Sequence, residues 1–327
     1  MLRILQIETE NASEICYKLS PMHSKMRILI SGSHGLIGSA LISLLTGDGH
    51  EVIRLVRNKP TPGAHEIEWH PNKGFIDSPQ LEGLDAVVHL AGEGIASGRW
   101  TEEKKRAILE SRVKGTGLLA ESLAKLSRPP AVFVSASGIG YYGNRGDELL
   151  NETSTLGNDF LAHVCMEWEK AATPAAEKGI RTVFARFGII LDANGGALAK
   201  MLTPFRMGIG GRVGSGKQWM SWMALDDVVS AIRFLLRDNS VNGPVNFVTP
   251  FPVTNAEFTK TLGRVLSRPT LFPIPAVALR LAFGELADAA LLSGQRVEPA
   301  VLESRGFAFG LPRLELALRK ILHREYS

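Results

Sequence analysis

The sequence predicts an α/β fold, in which a doubly wound parallel sheet carries helices on both faces and a smaller C-terminal α/β region follows it. Strand-like apolar runs alternate with stretches of helical periodicity, which is the pattern of a parallel sheet. The runs are continuously apolar, as expected for strands that are buried on both faces. The predicted strands are Arg27–Ser31, Glu51–Val56, Asp85–Ala91, Ala131–Ser137 and Arg181–Phe187, and the predicted helices include Gly35–Leu45, Thr101–Lys125 and Phe160–Ala176.

The first strand–helix connection carries three glycines at three-residue spacing, Gly32, Gly35 and Gly38. A diphosphate needs free backbone N–H groups and the positive end of a helix dipole, and residues without a Cβ let the backbone come close to it. Gly32 makes the tight turn, Gly35 permits the approach, and Gly38 lets the helix pack on the strand. Because an apolar strand precedes the turn and a helix follows it, the sequence predicts a Rossmann-like dinucleotide site.

The end of the second strand indicates which nucleotide is bound. An NAD site places an acidic residue there, whereas an NADP site places cations that pair with the 2′-phosphate. This chain has Arg54, Arg57 and Lys59 in that region and no carboxylate. A guanidinium matches a phosphate in bidentate fashion, so the pattern favours NADP(H), with a solvated strand end as the alternative. The small residues of Leu90-Ala91-Gly92 would let the adenosine and diphosphate lie across the strand ends.

Composition and charge exclude several classes of protein. The 327 residues allow one or two domains, and the net charge of +4 is spread without a basic run, so no nucleic-acid partner is expected. The two cysteines, Cys16 and Cys165, lack a disulfide framework or a metal-ligand spacing, which fits a reducing, cytoplasmic compartment and no metal. No apolar run approaches the roughly 20 residues that span a bilayer, and residues 1–25 show no signal-peptide core, so neither secretion nor a membrane partner is expected.

The chain divides into three parts by pattern. Residues 1–25 are expected to be a poorly ordered leader, residues 26–195 the NADP-binding Rossmann domain, and residues 196–327 a substrate-side C-terminal region. Part of 225–250 is expected to return to the main sheet. A glycine loop at Gly211–Gln218 comes close to a phosphate loop, but Gln218 stands where Ser or Thr is required, so we interpret it with Trp219, Trp222 and Met223 as a cover for a small molecule.

Further motifs are spread from Met26 to about Leu322: Leu90-Ala91-Gly92-Glu93, Arg99-Trp100-Thr101, Ser111-Arg112 with Thr116, Ser135-Ala136-Ser137 before Gly140-Tyr141-Tyr142-Gly143, Trp168-Glu169, Trp222 with Asp227, Gly294-Gln295-Arg296 and Gly306-Phe307. With the glycine turn, they resemble the extended branch of the short-chain dehydrogenase/reductase superfamily, and within it the atypical "epimerase family protein" group of NADP-dependent oxidoreductases with a C-terminal domain of unknown function. The resemblance suggests a homodimer. It carries the cofactor contacts over to Gly32, Ser33, Gly35, Leu36, Ile37, Gly38, Arg57, Leu90, Ala91, Gly92 and Arg112.

The catalytic residues depart from that superfamily. Its enzymes use Tyr-x-x-x-Lys about two dozen residues after a catalytic Ser, and counting from Ser137 places this pair at Leu161 and Cys165, which cannot transfer the proton. Ser137 is the candidate catalytic residue, as a hydrogen-bond donor to a substrate carbonyl, although its hydroxyl could equally satisfy a local backbone group. Tyr141 or Tyr142 could donate a proton instead, with aromatic packing as the alternative.

Two functions are therefore expected from the sequence. One is an NADP(H)-dependent oxidoreductase or epimerase-like enzyme that acts on an unidentified small carbonyl or hydroxyl compound. The other is a non-catalytic NADP(H)-binding regulatory protein, which the missing Tyr and Lys favour. The fold alone cannot decide between them, because it hosts many functions.

Overall fold

The structure, a computed structural model, describes residues 25–96 and 98–323. Residues 1–24 of the predicted leader, which was expected to span 1–25, lie outside this range. The strands are β1 Arg27–Ser31, β2 Glu51–Val56, β3 Glu66–His70, β4 Phe75–Ile76, β5 Ala86–His89, β6 Val132–Gly138, β7 Leu149–Leu150, β8 Arg181–Phe187, β9 Ile189–Leu191, β10 Trp219–Met220, β11 Trp222–Ala224, β12 Gly243–Phe247, β13 Val253–Thr254 and β14 Arg296–Val297. The helices are α1 Leu36–Gly47, α2 Glu102–Ala124, α3 Phe160–Lys170, α4 Thr173–Glu177, α5 Gly196–Arg206, α6 Leu225–Arg237, α7 Asn255–Val265, α8 Ala276–Phe283, α9 Ala300–Ser304 and α10 Leu314–His323.

The main sheet has the strand order β12-β8-β6-β5-β1-β2-β3-β4. All neighbouring pairs are parallel except β3 with β4, which closes one edge as an antiparallel strand. The predicted α/β fold class with a doubly wound parallel sheet is thus confirmed. The chain runs from β1 through β2 to β3 in one direction and then continues with β5 on the other side of β1. Such a reversal opens a crevice at the carboxyl ends of β1 and β5, where open α/β sheets bind ligands.

Both faces of the sheet are covered. Side chains alternate along β1, so Ile28 and Ile30 pack into the cluster that contains Leu45 of α1, while Leu29 packs into the cluster that contains Leu123 of α2. The predicted helix over Phe160–Ala176 is divided into α3 and α4. Pro174 stands in the first turn of α4, where its missing N–H is tolerated, so a new helix starts there.

The second half of the chain contributes to both parts of the molecule. α6 packs on α1, and β12 pairs with β8 at the edge of the main sheet. α5, β11, α7 and α10 build a separate core around Trp222, Phe258 and Leu318. Trp222 and Met223 are fully buried, so the interpretation of these two side chains as a cover over a small molecule is wrong. Within the described range, no helix is long and apolar enough to cross a bilayer.

Candidate cofactor and active site

The turn between β1 and α1 leaves room only for glycine at two positions. Gly32 has a φ of +67°, and a Cβ added to it would lie 2.8 Å from the carbonyl carbon of Leu90. A Cβ on Gly38 would lie 2.2 Å from the carbonyl oxygen of Gly32, which is a backbone clash. The helix then begins after Gly35 with no side-chain cap and no acidic residue in its first turn. Its first N–H groups are therefore available to an anion, and these residues fit the diphosphate of a dinucleotide.

The neighbouring strand end is fixed by one buried hydroxyl. Ser31 Oγ accepts hydrogen bonds from the backbone N–H groups of Leu90 (3.0 Å) and Ala91 (3.2 Å), and it lies 2.6 Å from His89 Nδ1. Since the hydroxyl already accepts twice, its one hydrogen is donated to Nδ1, and the proton of the ring is on Nε2. Burial lowers the pKa of His89 to about 4, so the ring is neutral at pH 7. This arrangement holds the segment Leu90–Gly92 against Gly32.

Two arginines near the end of β2 have different environments. Arg54 forms an ion pair with Glu66 on β3, at 2.7 Å. Arg57 is exposed, and within the described residues it has no hydrogen bond or ion pair. Its charge contributes to lowering the pKa of Glu93, although a hydrogen bond from Lys104 has the larger effect. Arg57, like the exposed Lys59 beside it, is thus unpaired among the described residues and can meet a phosphate.

Arg112 of α2 lies beside the end of β5. Its guanidinium donates hydrogen bonds to the carbonyl oxygens of Glu93 (2.9 Å) and Ile108 (3.0 Å), and it stacks on the ring of Trp168 at 4.7 Å. A Cβ on Gly92 would lie 3.5 Å from the guanidinium carbon. Burial lowers the pKa of Arg112, but the group remains a cation. The structure thereby brings together the glycine turn, Leu90–Gly92 and Arg112, the positions that the resemblance assigned to the cofactor.

Ser137, the candidate catalytic residue, belongs to a buried polar network. Its Oγ donates to Glu169 Oε1 at 2.6 Å. Arg186 of β8 donates two hydrogen bonds to Glu169, both at 2.8 Å, and a third to the hydroxyl of Tyr142 at 3.0 Å. That hydroxyl in turn donates to Asn246 Oδ1 of β12 at 2.7 Å. The hydroxyl of Ser137 thus faces a carboxylate rather than a backbone group, and its catalytic role stays a prediction.

The network is built by the register of the sheet. Ser137 pairs with Arg186, and Arg186 pairs with Asn246, so the three residues form a row across β6, β8 and β12 near their carboxyl ends. Burial alone would lower the pKa of Arg186, but the hydrogen bonds and negative charge of Glu169 raise it above its ordinary value. Glu169 and Asn246 stand in motifs of the sequence without a predicted role, and no role was predicted for Arg186. An arginine inside an apolar strand was the available signal, because a buried charge requires a partner.

The two adjacent tyrosines have different roles in this arrangement. Tyr142 is fully buried, its hydroxyl is bonded on both sides, and burial raises its pKa to about 12. Tyr141 is half-buried, and the guanidinium carbon of Arg186 lies 3.5 Å from its ring centre. Its hydroxyl has no hydrogen bond to any residue that the structure describes. Of the two phenols, only that of Tyr141 is free to meet a ligand.

The positions of the expected Tyr and Lys lie beside the same strand end. A Cβ on Gly140 would be 3.2 Å from Leu161 Cβ, and one on Gly138 would be 3.6 Å from Cys165 Sγ. Burial raises the pKa of the Cys165 thiol to about 11, so it stays protonated at neutral pH. Among the described residues, no cluster of His, Cys, Asp and Glu could hold a metal ion.

Residues 28–247 match the NAD dependent epimerase/dehydratase family, and residues 274–321 match a family described as Domain of unknown function (DUF1731). The chain belongs to the NAD dependent epimerase/dehydratase family. An epimerase family protein of Mycobacterium bovis is 44% identical over 282 residues, which are 86% of this chain and 93% of that protein. An epimerase family protein of Bacillus subtilis is 35% identical and covers 91% of this chain and 98% of its own length.

A solved structure from the same epimerase family is also similar. The crystal structure of the human epimerase family protein SDR39U1 (isoform 2), determined with NADPH, superposes with a TM-score of 0.83 at 35% identity. The alignment covers 91% of this chain and 99% of the human one. Membership of the epimerase family and the combination of a nucleotide-binding sheet with a C-terminal domain of unknown function agree with the resemblance found in the sequence.

Proposed function

We propose that this chain binds NADP(H) at the carboxyl ends of β1 and β5 and acts as an oxidoreductase or epimerase-like enzyme on a small carbonyl or hydroxyl compound. The observation that carries the proposal is the glycine turn, in which a Cβ on Gly32 or Gly38 would clash with the backbone of Leu90 or of Gly32, and which leads into the uncapped start of α1. The NADPH in the human epimerase family protein, which aligns over 91% of this chain, supports the choice of nucleotide.

The residues of the chain would divide the binding work. The uncapped N–H groups at the start of α1, among them those of Leu36 and Ile37, would bind the diphosphate. Arg57 would pair with the 2′-phosphate, since its guanidinium is exposed and unpaired among the described residues. Arg112 would add a second cation, fixed by its stacking on Trp168. When bound, the cofactor supplies or accepts a hydride, and the protein supplies position and polarity.

A carbonyl reduction also needs a proton donor. Tyr142 is unsuited, because its hydroxyl is buried and bonded on both sides and its pKa is raised. Ser137 would have to release Glu169 before it could donate to a substrate. Tyr141 has a free hydroxyl and packs over the Arg186 cation, which favours Tyr141 as the proton donor of this proposal.

The second candidate function is a non-catalytic NADP(H)-binding regulator, whose conformation changes with nucleotide occupancy. One specific observation favours it. Leu161 and the protonated thiol of Cys165 lie beside the end of β6, at the positions where the superfamily has its Tyr and Lys. Leu161 has no proton to transfer, and the neutral thiol of Cys165 lacks the positive charge with which a Lys lowers the pKa of a neighbouring phenol.

The experiment begins with a fluorescence titration of the purified protein with NADPH and NADH. Absorbance at the reduced-nicotinamide band is then followed with a mixed panel of aldehydes, ketones, quinones and nucleotide sugars. Tyr141→Phe and Ser137→Ala are assayed beside the wild type, and Tyr142→Phe serves as the control for the loss of a phenol that is not the donor.

Tight NADPH binding with turnover that Tyr141→Phe abolishes would support the enzyme and its proton donor. Turnover that survives Tyr141→Phe would keep the enzyme and remove this donor. Tight binding without turnover on every compound of the panel would favour the regulator. Absence of NADPH binding would reject both functions.

A further inference from the structure

The half-buried guanidinium of Arg296, on β14, has no acceptor in the described part of the chain. Its Nε is buried without a hydrogen-bond partner, and the group forms no ion pair with any residue that the structure describes. Arg112, Arg181 and Arg186 are likewise removed from much of the solvent, and each of them donates to carbonyl or carboxylate oxygens of the chain. A charged donor without a partner costs free energy in the folded protein, so Arg296 is suited to an acceptor that a ligand supplies.

The backbone around Arg296 is held in place on both sides. The hydroxyl of Ser221 donates to the carbonyl oxygen of Gln295 at 2.7 Å and accepts from the N–H of Val297 at 2.9 Å. β14 also pairs with β7. The position of Arg296 is therefore fixed before a ligand binds, which lowers the entropy cost of binding.

The ring of Trp219 supports the guanidinium from one side. The guanidinium carbon of Arg296 lies 4.6 Å from the ring centre. The indole N–H donates to Asp147 at 2.7 Å, which fixes the orientation of the ring. A Cβ on Gly294 would clash with the carbonyl oxygen of Trp219, so the segment before β14 is in contact with β10. Stacking on one face leaves the N–H groups at the rim of the guanidinium plane able to meet an anion.

Arg296 adjoins the tyrosines of the proposed active site through its neighbour in the chain. Val297 packs in the same cluster as Tyr142, and Tyr141 packs against that cluster. Asp147, which orients Trp219, lies in the loop that follows these tyrosines. Since Arg296 belongs to residues 274–321, the domain of unknown function would contribute a binding group to the site.

We infer that Arg296 binds a carboxylate of the substrate, so that the small carbonyl or hydroxyl compound is an organic acid. A carboxylate has two oxygens in one plane and a single charge, which match one guanidinium in bidentate fashion. A phosphate carries about two charges and is matched better by several cations, whereas Arg296 is the cation that the structure describes over the Trp219 ring. The inference rests on the proposed function for the reaction of the bound acid, but the carboxylate site can be tested without turnover.

The test is calorimetric titration of the full chain with pyruvate, 2-oxohexanoate and phenylpyruvate, each beside its methyl ester, and with inorganic phosphate. The titrations are made with and without NADPH. Arg296→Gln removes the charge, and Arg296→Lys keeps the charge but not the planar fork. Arg305→Gln, at an exposed arginine of the same domain, is the matched control. Circular dichroism establishes that each variant is folded, and a fluorescence titration gives its affinity for NADPH.

At least one of the three acids should bind to the wild type more tightly than its methyl ester. The affinity for that acid should fall at least about tenfold in Arg296→Gln and less in Arg296→Lys, because a charge-assisted contact is lost or weakened. Arg305→Gln should bind the acid as the wild type does. NADPH binding should be the same in all variants.

The inference is overturned if none of the acids binds to the wild type, if Arg296→Gln binds an acid as tightly as Arg305→Gln does, or if phosphate alone binds. It is also overturned if Arg296→Gln loses NADPH binding, since the guanidinium would then belong to the nucleotide site. Failure of the proposed function gives a different result, because the wild type then does not bind NADPH, while the effect of Arg296→Gln on acid binding is still measured.

Discussion

Acidification should destabilise the protein through the buried ring of His89. This residue ends β5 at the centre of the sheet and is fully buried, and its Nδ1 accepts the hydroxyl hydrogen of Ser31. A proton on Nδ1 would displace that hydrogen bond and place a charge among apolar neighbours. Nε2 has no hydrogen-bond partner within the described residues, so nothing there would compensate the charge.

The size of the effect follows from the pKa. Burial lowers it from 6.5 in the unfolded chain to about 4 in the folded one. The unfolded state therefore binds more protons between these values, and stability is full above about pH 6.5 and is lost as the pH falls toward 4. Linkage gives a loss of about 2 kcal/mol at pH 5 and about 3 kcal/mol at pH 4.

The assay is urea unfolding at pH 7, 5 and 4 for the wild type and for His89→Asn, whose amide oxygen can still accept from Ser31. The variant should be less stable at pH 7 and should lose about 3 kcal/mol less between pH 7 and pH 4. Val88→Ala, a buried cavity variant on the same strand, should keep the pH dependence of the wild type. Parallel losses in the wild type and His89→Asn would refute the assignment of the acid response to this ring.

Three further predictions concern the cofactor turn and the buried network. Arg57→Asp should weaken NADPH binding at least about tenfold more than NADH binding, because a charge-assisted contact with the 2′-phosphate is lost. The control Arg54→Gln should leave the preference for NADPH over NADH intact. If Arg57→Asp weakened the binding of both nucleotides equally, Arg57 would not be part of the phosphate site. Gly38→Ala should abolish nucleotide binding in a fluorescence titration. Gly47→Ala should retain binding, because a Cβ there meets nothing within 4 Å. Nucleotide binding by both variants would contradict the assignment of the glycine turn to the nucleotide site. Glu169→Gln should lower the free energy of unfolding by about 3–5 kcal/mol in urea, because the guanidinium it pairs with stays buried; a loss below about 1 kcal/mol would contradict this.

The parts of the fold that local pattern determines could be predicted. The first two strands and β8 have the bounds expected from their apolar runs, and the glycine turn lies where its spacing placed it. Strand β3, which lies between β2 and the edge strand β4, was not predicted, although Ile67 and Trp69 alternate with polar residues in it. Its period-two signal extends over only five residues, which is too short to stand out from a loop.

The buried network could not be predicted, because the order of the strands creates it. Ser137 and Glu169 are 32 residues apart, and Tyr142 and Asn246 are 104 apart. Part of 225–250 was expected to return to the main sheet, but nothing local in the sequence indicates that β12 pairs with β8. Without that pairing, Arg186 has no visible relation to Asn246. The same reason explains Trp222, which follows a glycine loop in the sequence but enters the core through the pairing of β11 with β9.

The return of β12 to the main sheet determines where the chain can be cut to make fragments or chimeras. The backbone edge of β8 is covered by a strand that the chain reaches only after α5 and α6, and Asn246 on that strand accepts the hydroxyl of Tyr142. A fragment that ends near residue 195 would expose this edge to pairing with other chains and would leave a buried phenol unsatisfied. Chimeras that exchange the C-terminal region between relatives should therefore keep 225–250 with the first half of the chain.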